Sequence, residues 1–311
     1  MSQPREIAPG ATYLITRRVV RRHFLLRPDA AITQLLVYAL AVSTRRYGIE
    51  VHALCAMSTH LHLVVTDVNG VLPRFLQFFH RIVALGTKVL RKWDGPVWDH
   101  EATSVVRLLT RAAVVEKIAY VIANPVAAGL VRHAREWPGA KVDAGELGQG
   151  LLRAARPAAY LDPENPQWPD AVTLPLALPP GIEHDGAERF RRDVAAELER
   201  QEADAHAERQ RQGLGFLGVE RVSSISPYER ATSFETLRDR NPTFAVGPEQ
   251  GDAWRIAGAA VRAFRASYRA ALERWCAGVR SVVFPSGTWW MRTFHGVNVT
   301  EIVPTEIVPT I

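Results

Sequence analysis

The chain has 311 residues, 47% of them hydrophobic and 23% charged, enough for one large domain or a compact domain with a second unit. Its longest near-apolar stretch, Leu35 to Val42, falls far short of the roughly 20 residues that span a bilayer, and Met1 to Gly10 is polar, so no membrane segment or signal peptide is expected and a cytoplasmic location is. The net charge of +6 is unevenly spread, with 19 Lys and Arg against 10 Asp and Glu in residues 1–145 and 19 against 22 thereafter, which points to a polyanionic partner for the N-terminal half.

Ala11 to Val20 is rich in β-branched and aromatic residues and reads as a first strand, followed by the basic cluster Arg17, Arg18, Arg21 and Arg22. Asp29 is placed to cap a helix whose apolar positions Ile32, Leu35, Leu36, Ala39 and Leu40 recur at helical spacing. Arg45 and Arg46 fall in its last turn and Gly48 stops it. Ile49 to Met57 and His60 to Val65 read as two further strands joined by a short Ser58-Thr59 step. Val71 to Lys92 is a long amphipathic helix broken by Gly95-Pro96, and Val97 to Thr103 reads as an extended segment. Thr110 caps a helix running to about Ala123, ended by Asn124-Pro125. The order strand, helix, strand, strand, helix, strand, helix predicts an α+β fold of ferredoxin-like type, an antiparallel sheet with helices on one face.

Beyond this unit, Pro157 to His184 holds seven prolines in 28 residues and reads as a linker or extended arm. Asp185 to Gln212 is a charged helix with Phe190, Val194 and Leu198 on one side and a solvated second half. Residues 252–278 form a stronger helix whose stripe of Trp254, Val261, Phe264, Tyr268 and Trp275 is assigned to packing. The tail repeats Thr-Glu-Ile-Val-Pro and is expected to lack order. The expected organisation is a first domain over 1–150, a proline-rich linker over 151–184, a mainly helical extension over 185–299 and a repeat tail over 300–311.

Two elements could carry chemistry. In a strand, residues i and i+2 share a face, so His60 and His62 would offer two imidazoles side by side to one divalent ion, although surface-facing strand histidines would have the same spacing. In a helix, i and i+4 share a face, which would stand the Tyr120 phenol and the Asn124 amide together at the last turn; a core tyrosine before a helix-ending Asn-Pro is the plain alternative. An amide oxygen is a hard ligand that could complete a two-histidine site, and a phenol can act as a nucleophile. The letters of Gly213-Leu214-Gly215-Phe216-Leu217-Gly218 match a dinucleotide fingerprint, but the segment follows a charged helix rather than a strand. Trp289, Trp290 and Arg292 could stack on exposed bases or close a core. With two distant cysteines, Cys55 and Cys276, there is no cysteine zinc site.

Taken together, His-hydrophobe-His on a strand, a basic first strand, and Tyr120-x-x-x-Asn124-Pro125 followed by Val126, Gly129, Leu130 and Val131 resemble the HUH single-tyrosine transposases, in particular the REP-associated (RAYT) branch. The resemblance covers Tyr13 to about Pro138. Gly215 to Gly218, Arg240-Asn241-Pro242-Thr243-Phe244 and Phe284 to Thr288 are similar to the C-terminal extension of one such branch. The chain departs from the family in having Ser58-Thr59 where Pro-Asn usually precedes the first histidine, and Arg18-Val19 where Gly-Asn usually follows the first strand.

The resemblance implies a metal-dependent nickase and strand transferase for single-stranded DNA hairpins of the REP type, working as a monomer or homodimer through a 5′-phosphotyrosine intermediate. By this mapping Tyr120 is the nucleophile and His60, His62 and Asn124 hold Mg²⁺ or Mn²⁺. Arg17, Arg18, Arg21, Arg22, Arg45 and Arg46 are the candidate DNA contacts. Two other readings stand beside it: a non-catalytic nucleic-acid-binding module on the same fold, and a metal-dependent hydrolase, for which only Asp67 lies close to the histidines in sequence.

Overall fold

Strand β1 (Ala11–Arg18) is the axis of the sheet, because it pairs antiparallel with β3 (His60–Asp67) on one side and with β4 (Ser104–Leu108) on the other. Strand β2 (Ile49–Ala56) completes the antiparallel set against β3, with a bulge at His52 that shifts the register between Val51 and Ala53. The computed structural model describes residues 4–158, 160–182, 186–233, 242–248 and 250–301. Helix α1 (Ala30–Tyr47) connects β1 to β2, and α2 (Leu72–Arg91) connects β3 to β4. The strand order β2-β3-β1-β4 with two helical crossovers is the ferredoxin-like arrangement that the order of elements predicts.

Local chemistry sets these boundaries. The Asp29 carboxylate accepts from the Ile32 N–H at 3.0 Å and starts α1, and Gly48 ends it in the left-handed region at φ 66°, where a side chain would be strained. Asp67, the last residue of β3, accepts from the N–H groups of Val71 and Leu72 at 2.9 and 2.8 Å and so opens α2. The extended segment expected at Val97–Thr103 is instead a bend, touching the sheet through one bridge from Trp98 to Val19; the pairing partner of β1 begins at Ser104, where Val105, Val106 and Leu108 can be buried.

Alternation divides the sheet into two faces. Tyr13, Ile15, Leu61, Leu63 and Val65 are buried beneath α1 and α2, which pack on each other where Gly86 of α2 leaves room for Leu35 of α1. The two crossover helices share that face, as expected. The other face carries Thr12, Leu14, Thr16, His60, His62 and Val64, and receives helix α3 (Arg111–Ala127). Thr110 caps α3 by accepting from the Ala113 N–H at 3.1 Å.

Helix α3 runs through Pro125 and does not end at Asn124 as the sequence suggests. Proline costs the helix one hydrogen bond, but the closing motif lies one turn later. Gly129, at φ 70°, donates its N–H to Val126 O at 2.8 Å, and Leu130 donates to Pro125 O at 2.9 Å. Asn124 is thereby held inside the helix, in register with Tyr120.

The second half of the chain is built onto this unit. The segment expected to be a linker contains β6 (Ala171–Pro175), which pairs with β5 (Leu151–Ala155) into a hairpin lying on α1, with Tyr38 Oη donating to Pro169 O at 2.7 Å. Its prolines sit where no ladder hydrogen bond is needed. Helix α4 (Ala187–Arg211) lies along α3 with Phe190 and Val194 fully buried. Its second half also touches α3, through the Gln201 amide on Glu116 O at 3.2 Å, so it is docked where composition suggested solvation. The glycine-rich letters follow α4 and lead into the six-residue α5 (Val219–Ser224); Leu217 and Gly218 donate to the carbonyls of Gly129 and Leu130 and so close the end of α3.

Strand β7 (Phe244–Ala245) adds to β4 in parallel as a fifth strand, and α6 (Gly251–Cys276) follows. Of its aromatic stripe, Tyr268 and Trp275 pack on a small second core around Phe284 with Met291 of α7 (Trp289–His295), while Trp254 remains 57% exposed. The short strands β8 (Val283–Phe284) and β9 (Asn298–Val299) complete that core. Arg240 and Asn241, and the repeat tail from Ile302 onward, lie outside the described residues. No described helix is long and apolar enough to cross a membrane.

Asp29 supports both helices of the covered face, because Arg91 of α2 pairs with it at 2.7 Å and Arg27 at 3.1 Å. Burial works against its carboxylate, but the Ile32 N–H and the Arg91 and Arg27 guanidinium groups outweigh it and hold the pKa below the usual value. A depressed pKa contributes stability that is present above the unfolded-state value near ~3.9 and is lost as pH falls through the folded one. Asp29→Asn should cost about 2 kcal/mol at neutral pH and flatten the acid limb of a pH-resolved chemical denaturation series.

Candidate active site

The β1–β3 register assembles the site. Thr16 lies opposite His62 and Arg18 opposite His60, so these four side chains share one face at one end of the sheet. The Thr16 hydroxyl and His62 Nδ1 share a hydrogen bond of 2.8 Å, which fixes the ring, and Thr59 Oγ1 lies 2.9 Å from His60 Nδ1. The two imidazoles stand edge to face with centroids 4.6 Å apart. His60 directs its Nε2 toward Asn124 of α3.

Helix α3 supplies the other two groups. Asn124, 8% exposed, brings Oδ1 to 3.3 Å from His60 Nε2, and one turn earlier the Tyr120 ring meets His62 edge to face at 5.4 Å. Tyr120 itself is 37% exposed. The structure therefore brings together Tyr120, His60, His62 and Asn124, which lie as much as 64 residues apart in sequence. The amide and phenol share a helix face because they lie four residues apart within α3.

His62 has two features of a ligand. It is 2% exposed, yet its Nε2 meets no hydrogen-bond partner among the described residues, a cost that a bound group would remove. Burial, with the nearby His60 and Arg18 charges, holds its pKa well below 6.5, so the imidazole is in the neutral form that coordinates metals. The described residues contain no group of three or more His, Cys, Asp or Glu side chains placed to hold a metal, so an ion here would rest on two imidazoles and an amide oxygen. Asp67 is not a further ligand: it is five residues along the strand from His62, points to the opposite face and caps α2. That placement removes the one carboxylate on which the hydrolase reading depended.

The arginines divide. Arg18 and Arg21 are exposed beside the histidine end of the sheet. Arg21 and Arg22 occupy the left-handed region at φ 47° and 58°, in a tight turn where Arg21 N–H donates to Asp99 Oδ2. Arg17 alternates onto the covered face, donating to the carbonyls of Glu101 and Asp99 over the Trp98 ring, and burial lowers its pKa. Arg22 binds the backbone and hydroxyl of Ser233. Arg45 and Arg46 lie at the far end of α1, with Arg46 over Phe78, and are not brought to the histidines.

Five further neighbours surround these groups, and all but Lys117 depend on tertiary contacts. Thr16 required the strand register, which no local pattern states. Lys117, whose Nζ lies 5.9 Å from the Tyr120 ring centroid, was available from i, i+3 spacing alone. Gln201, Asp204 and Glu208 of α4 form, with Tyr120, a cleft of about 380 Å³ between α3 and α4, and depend on a helix docking from 80 residues away.

The neutral state of His62 is directly measurable. In long-range ¹H–¹⁵N spectra its imidazole should remain neutral through the range around ~6.5 in which an exposed histidine takes up a proton. Protonation of His62 with the midpoint of an exposed imidazole would contradict the buried geometry.

No protein-family model matches the chain, and no curated protein is significantly similar to it. Among solved structures, the chain is similar to a REP-associated tyrosine transposase bound to a REP hairpin, at 17% identity over 47% of this chain and 84% of the other, with a TM-score of 0.40. It is also similar to a candidate transposase from Deinococcus radiodurans R1, at 20% identity over 34% of this chain and 85% of the other, with a TM-score of 0.27.

Proposed function

We propose that this chain nicks and rejoins single-stranded, hairpin-forming DNA of the REP type through a tyrosine nucleophile. The observation that carries the reading is the convergence of an exposed tyrosine with two strand histidines and a buried asparagine, one histidine nitrogen being buried without a partner.

His60, His62 and Asn124 fit a Mg²⁺ or Mn²⁺ ion, since the Nε2 of His62 is buried without a partner, its ring is neutral and stacks edge to face on His60, and His60 Nε2 meets the Asn124 Oδ1. Such an ion would polarise the scissile phosphate and offset its developing charge. Thr16 holds the His62 ring in the required orientation, and Asn124 is locked by its helix. The Tyr120 oxygen attacks phosphorus, the phenol loses its proton, and the 3′-oxygen departs as a hydroxyl. The phosphodiester energy is kept in a 5′-phosphotyrosine bond, so a second 3′-hydroxyl can reverse the step and join a new strand.

Arg18 and Arg21 are placed to meet backbone phosphates entering this end of the sheet, while the carbonyl contacts of Arg17 give it a structural duty in addition. The reading carries a cytoplasmic location with it.

A labelled hairpin oligonucleotide incubated with the protein and Mn²⁺ should yield a covalent adduct. Tyr120→Phe should abolish the adduct and leave hairpin binding within about two-fold, and an adduct surviving in that variant would reject the assignment. His60→Ala and His62→Ala should each lose cleavage. Thr16→Val should raise the Mn²⁺ concentration needed for half-maximal cleavage about 10- to 100-fold while leaving Tyr120 in place.

Hairpin affinity should also fall with salt at a log–log slope near −3 if about four phosphates are engaged. Arg18→Ala should reduce that slope by nearly ~1, and Arg45→Ala should leave it unchanged. Equal slopes for the two variants would mean that the strand does not enter beside the histidines.

A further inference from the structure

On the face of the sheet opposite the histidines, the N-terminal segment, β4, β7 and α6 enclose a cavity of about 110 Å³, ample for more than one water. Tyr13 and Arg107 are a cross-strand pair whose side chains alternate away from Thr12 and Leu14, which places this cavity beyond the reach of Tyr120.

Its lining is unusual in charge. Arg5, Arg107 and Arg265 all face it, against a single carboxylate, Glu6, which is already held by Arg107 at 3.1 Å. Arg5 donates to Thr103 O at 2.9 Å, and both its burial and the Arg265 charge push its pKa down, the signature of like charges held together. Arg265 Nε is buried with no hydrogen-bond partner among the described residues. Two positive charges in excess and an unmet donor at one cavity describe a site for an anion. The rest of the wall is apolar, with the rings of Phe244 and Phe264 among it, and the volume matches a phosphate group rather than a whole nucleotide. Guanidinium forks match phosphate oxygens in geometry.

We propose that this cavity is a second ligand site that takes the phosphate of a nucleotide, held by Arg5, Arg107 and Arg265. The same chemistry is presented by a free mononucleotide and by the 5′-phosphorylated end of a strand. The inference does not rest on nicking at Tyr120.

The test uses the full chain carrying Tyr120→Phe, so that no strand is consumed and failure of the nicking reading leaves the result untouched. Calorimetric titration with deoxyadenosine 5′-monophosphate should show saturable binding at one site. Deoxyadenosine should bind at least about ten-fold more weakly, and inorganic phosphate should compete. Arg265→Gln, with its fold checked by circular dichroism, should weaken the mononucleotide by at least about ten-fold. If that variant fails to fold, the Arg265 Nε–H resonance of the chain with Arg265 intact must still shift on titration. A 5′-phosphorylated oligonucleotide that outbinds both its unphosphorylated counterpart and the mononucleotide assigns the site to strand ends; mononucleotide binding alone assigns it to free nucleotides. Absence of saturable mononucleotide and 5′-phosphate binding, equal affinity for the nucleoside, or an Arg265→Gln variant that binds as well as its parent would overturn the proposal.

Discussion

The antiparallel register between β1 and β3 governs the molecule, because side chains alternate along a strand and a slip of one residue would exchange the two faces of the sheet. In the observed register Thr12 meets Thr66 through a hydroxyl pair at 2.8 Å, and Thr16 meets His62 at the same distance, so two polar contacts on one face pin the alignment. On the other face Tyr13, Ile15, Leu63 and Val65 are buried against α1 and α2, and moving them toward α3 would leave both cores mismatched. The histidines thus occupy their face because the apolar set claims the opposite one.

That division separates stability from chemistry. The covered face holds most of the large buried side chains and the Asp29–Arg91 pair that ties α1 to α2. The histidine face carries costs that the covered face offsets: a buried imidazole nitrogen without a partner, a half-exposed tyrosine and a left-handed Arg21-Arg22 turn. Residual cost of this kind concentrates where a ligand or substrate can relieve it.

The C-terminal half is less an appendage than its composition suggests. It supplies the β7 edge strand, the hairpin partner of β5, and α4 along the back of α3. Arg111 of α3 pairs with Asp193 at the start of this contact, and the Leu217 and Gly218 amides close its end. A cut near residue 150 would remove the cover from the helix that carries Tyr120 and Asn124, so that helix and the extension are one packing problem.

Local rules were enough for much of the first 130 residues. The Asp29 and Thr110 caps, the Gly48 stop and the two-residue and four-residue spacings of His60 with His62 and Tyr120 with Asn124 are short-range chemistry, readable wherever neighbours in sequence are neighbours in space. Where those rules erred, a contact from afar outweighed them. Pro125 reads as a helix end, yet Gly129 and the returning Leu217-Gly218 segment close the helix one turn later. A proline-rich stretch pairs as β6 because β5 offers it a ladder and α1 a surface. The charged second half of α4 is docked because α3 presents a backbone partner, the Glu116 carbonyl, that composition does not reveal. Which face the histidines take, that Asn124 reaches His60, that Arg17 turns inward while Arg18 stays out, and that Arg5, Arg107 and Arg265 converge on one cavity all depend on strand register and helix docking between residues far apart in the chain, and those are settled by the joint burial of many side chains that no local pattern encodes.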